Sequence, residues 1–175
     1  MRRDPLANPK PLIRRVYAYV AYRVGDGPEA EDITSEAFER ALRYRDSFDE
    51  SRGEPLAWLL GIARRCVDDS WKRRATAYAN EPERLPDGDD LESMALERLT
   101  LAVAIERLDE RSRDLLALRY GSDLTARQIG RLLDMRTNAV EVALHRIVAR
   151  LRSDLTADAP AGPLAGPDAA SRALP

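Results

Sequence analysis

The stretch LTARQIGRLLDMRTNAVEVALHRIVARLR, residues 124–152, decides the fold class of this chain. Thr125 and Gln128 match the Ser/Thr-x-x-Glu/Gln pattern of a capping box, which predicts that a short helix covers about 125–133. We assign the turn to 134–136 and a second helix to about 137–153, with Thr137 as its cap. Two short helices joined by a tight turn are typical of a helix-turn-helix, whose second helix can enter the major groove of DNA.

The second of these helices has one apolar stripe and one solvent-facing row. The stripe repeats at helical spacing and consists of Val140, Leu144, Ile147, Val148 and Leu151. If the opposite row meets DNA, its arginines neutralise phosphates and its first residues reach base edges. The alternative is an ordinary packed helix pair with solvated arginines. The single histidine, His145, has no neighbouring ligands at metal-binding spacing, so we interpret it as a DNA-rim or packing residue.

Composition restricts the function classes. The chain has 175 residues, of which 44% are hydrophobic and 33% charged, and its formal net charge is −2. It is therefore a globular protein with one domain or two small ones, and it is not basic overall. A single cysteine, Cys66, excludes an internal disulfide framework and is expected to be a small buried thiol. No apolar run approaches the length of a membrane span, so we expect a cytoplasmic protein with no membrane insertion.

The remaining chain predicts an all-α fold of two small helical domains joined by a flexible linker. Helical patterns cover about 12–24, 28–44 and 55–75, and Ile13 and Leu42 are among their apolar positions. Further helices are expected at about 93–108 and 110–120. Residues 76–95 hold one Lys/Arg against six Asp/Glu and include two prolines, which is typical of a linker. The predicted organisation is a first domain at 1–75, an acidic linker at 76–92, a second domain at 93–155 and a disordered tail at 156–175.

Four passages resemble the extracytoplasmic-function sigma factors, a class of the sigma-70 family of bacterial RNA polymerase subunits. They are EAEDITSEAF (29–38), FDESRGEPLAWLLGIARR (48–65), VDDSWKRR (67–74) and the block from 104 to 152. The resemblance implies that the chain binds core RNA polymerase and directs initiation at promoters, with region 2 in residues 1–75 and region 4 in residues 93–155. The implied partners are core RNA polymerase and promoter DNA, and an anti-sigma factor is a further candidate.

The resemblance also implies roles for individual residues of the first region. Its acidic helix would contact the polymerase clamp through Glu31, Asp32, Ser35, Glu36 and Phe38. The loop and the helix after it would capture the −10 element through Phe48, Asp49, Ser51, Arg52, Arg64, Arg65, Lys72, Arg73 and Arg74. An ordinary interhelical turn with Phe48 in the core is equally compatible with the sequence. Trp58 and Trp71 are expected in the core or an interface rather than stacked on bases.

In the second region, the −35 element would be read from the helix-turn-helix. The implied residues are Arg127, Arg136, Thr137, Asn138, Glu141, Val142, Ala143, His145, Arg146 and Arg150. The chain departs from the family pattern at Ser35, where Gln is usual, and at Arg65, where Asn is usual. In the recognition helix, Glu141 and Ala143 replace a common Lys and a common Arg. The loss of these cations should lower non-specific affinity for DNA.

Two other readings compete with the sigma factor. A stand-alone helix-turn-helix regulator would normally dimerise over paired half-sites, and no sustained heptad or dimer helix is evident. An enzyme could be imagined with a metal held by Asp68 and Asp69, or by Glu29, Asp32 and Glu36. One histidine, one cysteine and no glycine-rich phosphate loop argue against catalysis, so no cofactor is expected.

Overall fold

The amino-terminal unit is a bundle of three helices. The computed structural model describes residues 4–78 and 101–157 of the chain. In the first of these ranges, α1 spans Pro9–Val24, α2 spans Pro28–Arg43 and α3 spans Pro55–Tyr78. Each of the three helices begins at a proline, whose missing N–H costs nothing in a first turn. Gly25 and Gly27, with φ of 94° and 134°, provide the reversal between α1 and α2.

The carboxy-terminal unit contains shorter helices. Residues 101–106, here called α4, are helical, and α5 spans Glu110–Leu116. A π-helical segment, Ala117–Gly121, follows α5 directly, so the helix predicted at 110–120 changes its hydrogen-bond pattern after Leu116. The helix-turn-helix is formed by α6, Ala126–Leu133, and α7, Thr137–Ala157. No strand occurs in the two described ranges, and the all-α prediction is confirmed.

Helices α3 and α7 extend beyond the ends predicted at about 75 and 153. Residues 76–78 continue α3 and residues 156–157 continue α7, so both helices end later than the sequence pattern predicted. The rest of the predicted linker, the start of the helix predicted at 93–108 and the remainder of the tail lie outside the described residues. Within residues 4–78 and 101–157, no helix combines the length and apolar character that crossing a membrane requires.

A single hydrophobic core runs through both units. In the amino-terminal unit, Val16, Val20, Leu59 and Leu60 are fully buried. The same cluster continues into the carboxy-terminal unit through Leu118, Leu124, Ile129 and Val140. The two predicted helical units are therefore present, and they are packed against each other. Helix α1 makes this contact with α5 and the π-helical segment, and α3 makes it with α6.

Cys66 lies in the interior of α3, as predicted. Its side chain is fully buried, and burial raises the pKa of its thiol to about 11. At pH 7.5 less than about one thiol in a thousand is ionised, and the thiolate is the reactive form.

We expect Cys66 in the native protein to resist a thiol reagent such as DTNB at pH 7.5, and to react fully once guanidinium unfolds the chain. The matched control is Ser153→Cys on the exposed side of α7, which should react within seconds. Fast modification of Cys66 in the native wild-type protein would contradict this burial.

Candidate nucleic-acid and protein interfaces

The helix-turn-helix is fixed by local contacts. Thr125 Oγ1 accepts a hydrogen bond from the backbone N–H of Gln128 at 3.2 Å, and the Gln128 side chain accepts one from the N–H of Thr125 at 2.9 Å. This is the predicted capping box. Asp134 ends α6 in the left-handed conformation with φ of 53°, and Met135 N–H donates to the carbonyl of Gly130 at 2.8 Å. The turn therefore sits directly against Gly130.

Helix α7 presents the row of residues that the sequence predicted to be exposed. Val140, Leu144, Ile147 and Leu151 are buried, and Val148 is half-buried. Ala143 is half-buried, and the other candidate −35 residues are exposed: Arg127, Arg136, Thr137, Asn138, Glu141, Val142, His145, Arg146 and Arg150. One contiguous polar surface thus begins at the turn and runs along α7, and it is open to a large ligand.

The acidic face of α2 is crossed by arginines from α3. Arg73 lies 3.3 Å from a carboxylate oxygen of Glu36, and Arg74 contacts Glu29. Arg40, one turn along α2 from Glu36, also reaches Asp69 of α3 at 2.9 Å. These ion pairs hold α2 and α3 together at the surface. They also mean that two of the cations predicted to hold the −10 strand, Arg73 and Arg74, are paired with acids.

The clamp-contact candidates lie along this same helix. Glu31, Asp32 and Ser35 are exposed, whereas Glu36 and Phe38 are half-buried. Asp32 and Glu36 line a surface groove of about 320 Å³ between α2 and α3. No three His, Cys, Asp or Glu side chains in the described ranges are arranged to hold a metal ion. Glu31 and Asp32 are exposed and so are accessible to a basic protein surface, whereas Glu36 is paired with Arg40 and Arg73.

The loop between α2 and α3 contains two 3₁₀ turns. Asp49 accepts hydrogen bonds from the backbone N–H and the hydroxyl of Ser51, at 3.0 and 2.7 Å, and so caps the second turn. Asp49, Ser51 and Arg52 are exposed. Phe48 is only 9% exposed and packs edge-on against Trp58, with 5.6 Å between ring centroids. Of the two readings left open for Phe48, the geometry favours packing.

One −10 candidate is engaged between the two units. Arg64 of α3 donates to Oδ2 of Asp114 through Nε at 3.0 Å, and its Nη2 lies 2.8 Å from the same oxygen. Arg65 is exposed beside it, and Lys72 is exposed further along α3. Trp71 is half-buried beneath Arg23, whose guanidinium carbon lies 4.7 Å from the ring centroid.

Sequence reasoning missed Asp114 and Arg23. Asp114 is 4% exposed and Arg23 is 5% exposed, and they form an ion pair at 2.7 Å. A local signal was present, because Arg23 continues the stripe of Val16, Tyr19 and Val20 at helical spacing. A charge in a buried stripe requires an opposite charge. Local spacing does not indicate that the partner of Arg23 is Asp114, which lies 91 residues away in the sequence.

Comparison with known families agrees with this two-part layout. The family described as Sigma-70 region 2 matches residues 10–76, and the family described as Sigma-70, region 4 matches residues 98–151. Among characterised relatives, the ECF RNA polymerase sigma factor SigD of Mycobacterium tuberculosis is 33% identical over 171 residues, which cover 89% of this chain and 77% of SigD. The ECF RNA polymerase sigma factor BldN of Streptomyces coelicolor is 35% identical over 153 residues, which cover 82% of this chain and 57% of BldN.

Two solved structures share the fold. The sigma factor RpoE of Bartonella quintana, in complex with the anti-sigma factor NepR, superposes with a TM-score of 0.66 at 17% identity, covering 84% of this chain and 93% of RpoE. CnrH, in complex with the cytosolic domain of CnrY, gives a TM-score of 0.57 at 23% identity and covers 85% of this chain and 82% of CnrH.

Proposed function

The chain belongs to the ECF RNA polymerase sigma factors of the sigma-70 family, and on that premise we propose that it binds core RNA polymerase and directs transcription initiation at promoters. The observation that carries the proposal is the order of the two matched regions on two helical units. Members of this family act through binding, so the chain has no catalytic step of its own. The stand-alone regulator has no specific observation in its favour.

The proposed polymerase contact is the exposed acidic face of α2, with Asp32 at its centre. Its negative charge suits a basic helix of the clamp, since complementary charge speeds and orients association. Glu31, Ser35 and Glu36 surround Asp32, and Phe38 adds a half-buried aromatic edge. Ser35 replaces the usual glutamine with a shorter hydroxyl, which reaches less far toward a partner.

The proposed −10 contact is the loop from Asp49 to Arg52 together with the cations of α3. The exposed polar groups of the loop would read a base held out of the duplex, and Arg64, Arg65, Lys72, Arg73 and Arg74 would hold the strand's phosphates. Phe48 would support the loop from below through its contact with Trp58. Arg64, Arg73 and Arg74 must exchange their present carboxylate partners for phosphates.

The proposed −35 contact is the exposed row of α7 with the preceding turn. Thr137 and Asn138 at its start would approach base edges, and Glu141 would accept from a cytosine amino group. Arg146 and Arg150 would lie along the phosphates. Because BldN and SigD are sigma factors, and because RpoE is solved with an anti-sigma factor and CnrH with the cytosolic domain of CnrY, we also propose an anti-sigma factor as a partner and the cytoplasm as the place of action.

The direct test combines bacterial core RNA polymerase, the full chain and a supercoiled promoter library. We expect a stable complex at low salt and unpaired thymines near position −10 that react with permanganate. Binding to palindromic duplexes as a dimer, with no association with core polymerase, would instead establish the stand-alone regulator.

Within such a complex, Arg146→Ala should weaken binding of −35 duplex about equally for all sequences and reduce the slope of log K against log[salt] by about one. Arg14→Ala is the matched control, since it removes one exposed cation from α1, outside both proposed DNA surfaces. Equal slopes for the two variants would show that Arg146 does not contact DNA.

A further inference from the structure

A buried ion cluster joins the two units at the centre of their contact. Oδ1 of Asp114 accepts hydrogen bonds from Tyr19 at 2.8 Å and from Arg23 at 2.7 Å, and Oδ2 accepts one from Arg64 at 3.0 Å. One carboxylate of α5 therefore receives three donors from the opposite unit. Burial raises the pKa of Tyr19 well above its usual value, so its hydroxyl remains a donor. Such a site is selective for a carboxylate at this position.

A second contact recognises the backbone of the carboxy-terminal unit. The Arg15 guanidinium donates to the carbonyl of Ser122 through Nε at 2.8 Å and to that of Asp123 at 3.1 Å. In return, the Ser122 hydroxyl donates to the carbonyl of Arg15 at 2.8 Å. Gly121 lets the chains meet here, because a Cβ on it would lie 2.9 Å from the carbonyl oxygen of Ala18. The backbone of α1 and the backbone around Gly121 are therefore in direct contact, which requires one defined arrangement of the two units.

We infer that the free protein is held in a closed, self-inhibited form by this docking of its second unit onto α1 and α3, with Asp114 as the latch. The inhibition rests on the proposed function. The −10 and −35 elements lie about 25 base pairs apart, roughly 80 Å along the duplex at 3.4 Å per base pair. Two packed domains of this size, each about 25–30 Å across, are too short to reach both. The closed form also withholds Arg64 from DNA.

The closed form can open because the polar groups around Asp114 are incompletely hydrogen-bonded. Nε of Arg23 and Nε of Arg113 are buried without a hydrogen-bond partner among the described residues. Buried ion pairs add little net stability but strongly select one geometry, since breaking them leaves a charge uncompensated. On opening, Asp114 and both arginines regain water. A partner that binds only the open form must therefore outweigh the apolar contacts between the two units, while the ion cluster adds little net stability of its own.

Two substitutions should destabilise the closed form, one by removing a buried charge and the other by a steric clash. Asp114→Asn keeps the shape but removes the buried counter-charge of Arg23 in the closed form, where only the exposed carboxylate of Glu110, 3.5 Å away, remains. Gly121→Ala places a methyl against Ala18 in the closed form only, because Gly121 has no positive φ that an alanine would strain. The control is Glu106→Gln, which neutralises an exposed carboxylate of the same unit.

The test measures the distance between spin labels on Lys10→Cys and Ser153→Cys, two exposed positions in different units, by pulsed dipolar spectroscopy of the full chain. Buried Cys66 stays unlabelled. We expect one narrow, short distance in the unsubstituted background and in Glu106→Gln. Asp114→Asn and Gly121→Ala should both show at least a tenfold larger open population. A broad, long distribution in the unsubstituted background would overturn the latch.

The affinity of each variant for core polymerase then tests whether the closed form is inhibited. Apparent affinity is reduced by the fraction of open form, so the two open variants should bind core about tenfold more tightly than wild type. Open variants that bind core no better than wild type would show that closure does not inhibit. If wild type and variants all fail to bind core, the proposed sigma function fails, while the spin-label distances still decide whether the latch exists. Circular dichroism identifies a variant that does not fold, and the other variant then decides.

Discussion

Gly130→Ala should be strongly destabilising and should weaken −35 binding, because it displaces the turn that precedes α7. A Cβ on Gly130 would lie 2.6 Å from the carbonyl oxygen of Met135, a distance that side-chain carbons do not adopt. The obstacle is backbone of the turn, so it cannot be relieved by rotating a side chain. Overpacking of this kind costs about 2–3 kcal/mol. We expect the melting temperature to fall by about 5–10 °C, as measured by circular dichroism.

The matched control is the same substitution at Gly61. A Cβ there would lie 3.7 Å from Leu132 Cδ1, which is an ordinary contact, and Gly61 is inside α3. Alanine is favoured over glycine in helix interiors, so Gly61→Ala should leave stability unchanged or raise it by up to about 1 kcal/mol. Gly130→Ala should therefore lower the free energy of unfolding, whereas Gly61→Ala should not lower it. Equal stability of Gly130→Ala and wild type would mean that the turn does not pack against Gly130 as described.

Asp32→Arg should reduce affinity for core polymerase on the order of 100-fold, because it places a cation where a basic partner is proposed. Asp32 is exposed on α2, and the core beneath it is formed by other residues of that helix, such as Ile33 and Ala37. The fold should therefore survive, with an unchanged circular dichroism spectrum. Fluorescence titration of core polymerase with labelled protein measures the loss.

Glu106→Arg is the control for this charge reversal. Glu106 is an exposed carboxylate in the other unit, so the same change of two charges is made away from the proposed clamp contact. Affinity for core should stay within about twofold of wild type. Similar losses of affinity for Asp32→Arg and Glu106→Arg would show that the effect comes from net charge and that α2 does not contact the polymerase.

Local patterns predicted the elements well. The capping box at Thr125, the turn at Asp134 and the buried stripe of α7 depend on residues within one or two helical turns of each other, and all are present. The burial of Cys66 followed from its place on an apolar helix side. The exposed row of α7 was predicted for the same reason, since the exposed face of an amphipathic helix is fixed once its stripe is known.

Features that depend on distant partners were harder to predict. Ile13 and Leu42 were assigned to apolar faces, yet they are 44% and 56% exposed, because the neighbouring helices cover a narrower strip than the sequence pattern indicates. The π-helical segment after Leu116 was predicted as ordinary helix. It brings Gly121 against α1, a contact that no local spacing encodes. The ion cluster around Asp114 likewise joins residues from α1, α3 and α5.

Promoter-directed transcription by the full chain tests the central claim most directly. Purified bacterial core RNA polymerase is mixed with the protein and a promoter library, and run-off transcripts are sequenced. The account predicts transcripts with discrete start sites that share two upstream motifs, that depend on the added chain and that are lost with Asp32→Arg. Transcripts identical with and without the chain, under low-salt conditions and with no inhibitor present, would contradict it.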